Sequence, residues 1–344
     1  LKNANARFKP IGNETTPFSG TFIATLDKNN NRRVITLNVN TTTNNTGLFG
    51  CAGSKTAEKT AVIQNIVTKG TVASTKSAVG GLVGKGVGNL TITDCTNRAD
   101  VSGNLNVGGL VGAYNADIDS AAFTISLANG RYANECQRSN SYPGGSVNVV
   151  GDQVDKDGKV GGAVGYLCVA NVNGATVNIT NADNNGYIGN NDYSNPDGAV
   201  KLDRKNIGGV IGYIYVYGDV NKDGDTFATI KVTNCDNHFP IETTYDQLGG
   251  ICGTVLIQSG VDYGNGYNVT LPDTQNVNIT FDNCHNISTT NNTPNITANS
   301  YVGGIVGYIR TAHAVKNNVI KIENCTNNAE VKAYNEKVEI FKML

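Results

Sequence analysis

Short runs in which apolar and polar residues alternate recur along the chain: LTIT (Leu90 to Thr93), TVNIT (Thr176 to Thr180), ATIKVT (Ala228 to Thr233), NVNITF (Asn276 to Phe281) and VIKIE (Val319 to Glu323). A period of two sends alternate side chains to opposite faces of an extended strand, so each run predicts a β-strand with one dry and one wet face. Val, Ile and Thr suit that environment, while helix formers are thin. The expected fold class is all-β, with a narrow core built from the 39% of residues that are hydrophobic.

A second pattern interrupts the first. VGGLVG occupies Val79 to Gly84 and returns at Val107 to Gly112, followed by VGGAVG from Val160, IGGVIG from Ile207, LGGICG from Leu248 and VGGIVG from Val302. Glycine loses more entropy on folding than any other residue, so three in six positions call for a structural reason, either a bend or a close backbone approach. Period-two alternation divides the hexapeptide between two faces without saying which is buried. After each copy comes a turn, then an alternating strand that tends to end in a shared signature: ITDCTNRADV, VTNCDNHFPI, FDNCHNISTT and IENCTNNAEV, with ITNADNNGYI carrying Ala182 in place of the cysteine.

The hexapeptides start 28, 53, 47, 41 and 54 residues apart. Such periods signal a solenoid whose unit is about 28 residues with insertions, or whose longer intervals hide a second, degenerate coil. At about 28 residues per coil, roughly a dozen coils rising about 4.8 Å each predict a rod on the order of 60 Å. The asparagines after the cysteine are expected at a corner, where Asn tolerates the left-handed conformation, and as stacked amide ladders along the axis.

Composition narrows the partners. The 27 basic and 28 acidic residues nearly cancel and form no basic block, which argues against nucleic acid and anionic membranes. No apolar run is long enough to span a bilayer, so no membrane insertion of this segment is expected. There is no N-terminal signal pattern, and the one methionine is Met343, so Leu1 is expected to arise by processing or excision.

Candidate chemistry is sparse. Cys95, Cys235, Cys284 and Cys325 share one place in four repeats and are expected to stack inside as small hydrophobes rather than bind zinc, although adjacent coils would also bring them within disulfide range. Cys51, Cys168 and Cys252 fall in or just after glycine motifs, and Cys136 stands apart. Asp219, Asn221, Asp223 and Asp225 in GDVNKDGDT match the first half of a calcium loop. Ile230 sits where the bidentate acid belongs, so an exposed hairpin is the expectation, as for DQVDKDGK at Asp152 to Lys159.

His238, His285 and His313 match no nucleophile or metalloprotease pattern, and the first two are expected as solvated turn residues. Tyr213, Tyr215 and Tyr217 alternate on one strand, and Tyr166, Tyr213 and Tyr308 each follow a glycine motif. They form either a stripe for sugar stacking or partner contact, or a structural stack. Sequons at Asn89, Asn178, Asn268, Asn278, Asn286 and Asn295 are mostly by-products of the repeat. No catalytic, cofactor-binding or metal-binding residue is assigned, and no cofactor.

The run RFKPIGNETTPFSGTF (Arg7 to Phe22), then ITLNVN (Ile35 to Asn40), TGLFG (Thr46 to Gly50), IQNIVTKGTV (Ile63 to Val72) and VGGLVG resembles the start of a GLUG-repeat β-helix region, as found in large bacterial surface proteins and adhesins. One departure is IATLDKNNNRRV (Ile23 to Val34), longer and more charged than the usual glycine-rich hairpin. The resemblance implies a right-handed parallel β-helix outside the cell, with scaffold repeats and no catalytic residues. It would be one repeat domain over 1–344: a lead-in segment 1–46, repeat coils 47–331 with insertions near 113–159, 186–206 and 254–276, and a tail strand 332–344.

The leading expectation is a non-enzymatic, cell-surface adhesin-like stalk whose partner is a surface protein or glycan of a host or neighbouring cell. Its specificity is expected in the interruptions of the repeat. The alternatives are a carbohydrate-binding or carbohydrate-active β-helix and a filament subunit associating end to end.

Overall fold

The computed structural model describes residues 8–128, 132–135, 145–150, 156–189, 202–218, 228–259, 274–287, 296–312 and 315–335. These residues are all-β, with no α-helix among them, and strands from successive repeats pair in parallel. Four stacks of strands carry the architecture. Sheet 1 takes the start of each glycine motif (Val79–Gly80, Asn106–Gly108, Lys159–Gly161, Ile207–Gly208, Leu248–Gly249, Val302–Gly303). Sheet 2 takes the strand that follows, for example Val83–Val87, Val164–Ala170 and Ile211–Gly218. Sheet 3 takes the alternating run, for example Leu90–Thr93 and Ala228–Thr233, and sheet 4 the segment after the cysteine, for example Thr96–Gly103 and Asp236–Asn237.

Sheet 3 has eight strands in simple chain order, so the described chain builds eight layers. Its register is unbroken. Val62 pairs with Thr91, Thr91 with Thr124, Thr124 with Asn178, Asn178 with Lys231, Lys231 with Thr280 and Thr280 with Lys321. Between these wet positions, Ile92, Ile125, Ile179 and Val232 are fully buried. Each such side chain gains about 1.5–3 kcal/mol from burial.

That register corrects the expected coil count. Val107 pairs directly with Val160, Val160 with Ile207, Ile207 with Leu248 and Leu248 with Val302, so the long intervals hide no second coil. Seven steps between eight layers give a height of about 34 Å, not 60 Å. The strands Val111–Ala116, Ala122–Ser126 and Ser146–Val149 belong to the regular layers.

The glycine motif is not a continuous strand. In Val79 to Gly84 the chain bends at Gly81 and Leu82, passing from sheet 1 to sheet 2, so the division into two faces does not apply and the whole hexapeptide is buried. The first glycine is needed because the chain folds tightly back on itself: a Cβ on Gly80, Gly108, Gly161, Gly208, Gly249 or Gly303 would strike the backbone carbonyl three residues ahead. Backbone cannot give way there as a flexible side chain can. The second glycine lies against a layer-neighbour's carbonyl and against an asparagine of sheet 4, for example Gly209 against Gly250 and Asn237.

Those asparagines form the expected ladder. The Nδ2 of Asn97 donates to Oδ1 of Asn134 (3.0 Å), Asn134 to Asn184 (3.1 Å), Asn184 to Asn237 (2.9 Å), Asn237 to Asn286 (2.9 Å) and Asn286 to Asn327 (2.8 Å). The first five are almost completely buried. Thr68 starts the series by donating its hydroxyl to Asn97. The expected corner, however, is three residues earlier. The left-handed residues are Asp94, Asn181, Asn234, Asn283 and Asn324, with φ between 51° and 54°, immediately before the cysteine position. The ladder asparagines lie in extended backbone, because an amide that must point inward at every layer needs a strand to aim it.

The cysteine stack also forms. Cys95, Cys235 and Cys284 are buried and Cys325 is partly so, and the seven cysteines among the described residues are free thiols. Each thiol of the stack donates to the carbonyl two residues before it, as Cys235 does to Thr233 at 3.3 Å. Burial pushes the Cys95 thiol up to about 12, so it stays protonated.

Candidate functional site

Two clusters on outward faces are chemically distinctive. The first is aromatic and lies on sheet 2. Tyr213, Tyr215 and Tyr217 alternate with the fully buried Ile214 and Val216, which turns all three rings outward. Tyr166 is the direct partner of Tyr213 in the preceding layer, with ring centroids 5.8 Å apart. Tyr215 and Tyr217 are stacked at 5.5 Å and 3°, and Tyr213 meets Tyr215 edge-on at 6.2 Å. The Lys159 ammonium lies 5.5 Å and 5.4 Å from the Tyr166 and Tyr213 ring centres.

Ring faces are therefore spent on one another and on Lys159, and the patch has the character of a structural stack. Thr254 separates Tyr213 from Tyr308, which pairs instead with Tyr301 at 4.8 Å. Burial raises the phenols of Tyr166, Tyr213 and Tyr215, the last to about 12, so these hydroxyls remain neutral donors.

The second cluster lies on sheet 4. Asp183 and Asp236 hold equivalent places in the signatures ADN and CDN, and the pairing of Asn184 with Asn237 sets their strands side by side. Asp183 Oδ1 accepts the backbone N–H of Asp236 at 2.9 Å, and Asp236 Oδ1 accepts that of His285 at 3.1 Å. Residues 236 and 238 share the outer face because Asn237, between them, points into the ladder. His238 thereby joins the two carboxylates, and donor atoms of all three side chains lie within 4.8 Å of one another. Tyr132 packs edge-on against the imidazole at 5.8 Å.

The electrostatics follow from the half-buried setting. Burial, with a smaller contribution from the Asp236 charge, pushes the Asp183 carboxyl up to about 6. Burial holds His238 below its ordinary value, partly offset by Asp236. His238 is thus not a solvated turn residue, because strand alternation carries it onto a crowded face. His285, by contrast, is engaged with Thr326 at 2.7 Å.

Other expected positions separate cleanly. Asp219, Asn221, Asp223, Asp225, Cys136, His313, Asn268 and Asn295 lie outside the described residues. Of the sequons, Asn89 and Asn286 are buried and hydrogen-bonded, and Asn178 and Asn278 lie within strands, in keeping with by-products of the repeat. No helix of the described residues is long and apolar enough to cross a membrane. In comparisons with protein-family models, with curated proteins and with solved structures, none matches this chain.

Proposed function

We propose that the chain is a non-enzymatic scaffold, a right-handed parallel β-helix of the GLUG-repeat kind that works outside the cell as an adhesin-like stalk or binding surface. The observation that carries this reading is how completely the repeat is used up in packing. Its glycines are required by backbone contacts, its asparagines are committed to the ladder, and its cysteines are held as buried donors. A motif spent in this way supports a rigid frame, and leaves recognition to the residues between the repeats.

The partner would be a protein or glycan of a host or neighbouring cell surface. A glycan array probed with the labelled chain, together with binding to intact cells, tests this. Saturable binding that competes with unlabelled chain is the expected outcome, and indifference to every cell and glycan surface would reject the binding role.

One observation favours a second reading, a carbohydrate-active β-helix: Asp183 and Asp236 are two carboxylates on adjacent strands, one of them with a raised pKa. The tyrosine cluster sits on a different sheet, so the two do not line one cleft. Release of reducing ends or unsaturated products from a polysaccharide panel, abolished by Asp183→Asn, would establish that reading over the scaffold.

A further inference from the structure

We propose that Asp183, Asp236 and His238 bind one divalent transition-metal ion of the zinc or manganese kind, leaving its remaining coordination positions open to solvent. Three potential ligands from two adjacent layers converge, with donor atoms within 4.8 Å of one another. This convergence is built in rather than fortuitous. The buried amides of Asn184 and Asn237, bonded to each other at 2.9 Å, fix the register that sets Asp183 beside Asp236 and brings His238 to the same face. A ligand set whose supporting atoms are locked in this way needs little ordering when an ion arrives.

Charge supplies an independent reason. Asp183 and Asp236 are both half-buried on adjacent strands, so two carboxylates share this ground. A dication removes the repulsion between them, and an imidazole nitrogen completes the donor set. One nitrogen and two carboxylates suit zinc or manganese, whereas calcium and magnesium prefer all-oxygen sets.

The test is equilibrium dialysis of the full chain against Zn²⁺, Mn²⁺, Ca²⁺ or Mg²⁺ with elemental analysis, followed by titration calorimetry and the absorption spectrum of the Co²⁺ form. One equivalent of Zn²⁺ or Mn²⁺ per chain is expected, with binding at least tenfold weaker in Asp183→Asn, Asp236→Asn and His238→Gln and unchanged in Cys325→Ser. The Co²⁺ spectrum should lack a thiolate charge-transfer band. Far-ultraviolet circular dichroism identifies the variants that keep their fold, and Asp183→Asn decides if Asp236→Asn does not. Absence of stoichiometric Zn²⁺ or Mn²⁺, binding that survives Asp183→Asn, or binding lost in Cys325→Ser with a thiolate band would each overturn the proposal.

Discussion

The chain turns from sheet 1 to sheet 2 at a glycine bend, and from sheet 3 to sheet 4 at an asparagine and cysteine bend. The glycine bend is governed by exclusion: a Cβ has nowhere to go because backbone oxygen fills the space on every layer. The second bend is governed by satisfaction. A left-handed residue starts it, a small side chain follows, and an amide finds partners above and below. Exclusion tolerates no substitution, so three glycines recur in all six hexapeptides. Satisfaction tolerates any residue that keeps the contacts, so Ala182 can replace cysteine and Asp94 can replace asparagine.

The contrast breaks first at the glycines. Gly208→Ala would set a Cβ against the Ile211 carbonyl and is expected to destabilise by about 3 kcal/mol or more. The same change at Gly20, where the nearest atoms are 3.6 Å away on Phe18, is expected to stay within about 0.5 kcal/mol. Urea midpoints at constant m-value compare the two, and equal costs would remove the steric argument.

Next is the ladder. Asn184→Leu strands the buried amides of Asn134 and Asn237 and is expected to cost about 2–4 kcal/mol in chemical denaturation. The same change at the exposed Asn327 is expected to cost less than about 1 kcal/mol. At the left-handed start of the bend, Asn234→Ala is expected to lose about 1–2 kcal/mol, whereas Asn234→Gly is close to neutral.

The smallest effect is a pH dependence. Asp183 has a folded pKa of about 6, above the ordinary 3.8, so between those values the folded chain holds more protons than the unfolded one. Stability from this group is therefore greatest below about pH 4 and declines as pH rises through 6, by on the order of 1 kcal/mol after solvent screening. Asp183→Asn is expected to flatten that part of the pH profile, as seen in melting temperatures between pH 4 and pH 7. An unchanged slope would show that the carboxyl is not perturbed.

Much of this was legible in the letters. Period-two alternation located the strands of sheet 3, and the spacing of C-x-N signatures foretold both the stacked thiols and the amide ladder. The metal-type cluster was legible too: ADN and CDN put Asp183 and Asp236 in equivalent positions, a signal available to anyone aligning the repeats by layer. A histidine after a turn signature reads as solvated in sequence, and only the alternation across Asn237 places it beside the two carboxylates. The left-handed residue lies three positions before the expected one because Asn suits a turn and a ladder equally well in sequence. Layer number was not legible, since an interval of 53 residues accommodates one coil with an insertion as readily as two coils, and only pairing of Val107 with Val160 decides.

That last point carries the architecture, and one distance measures it. Spin labels at Thr91 and Lys321, both on the outer face of sheet 3, are separated by five in-register steps through Thr124, Asn178, Lys231 and Thr280. With Cys325 and Cys136 replaced by serine to prevent stray labelling, pulsed electron paramagnetic resonance should give a separation of about 24 Å, broadened by the label linkers. A hidden coil in each of the four long intervals would lengthen it to about 43 Å, and a distribution centred there would contradict the single-layer stacking.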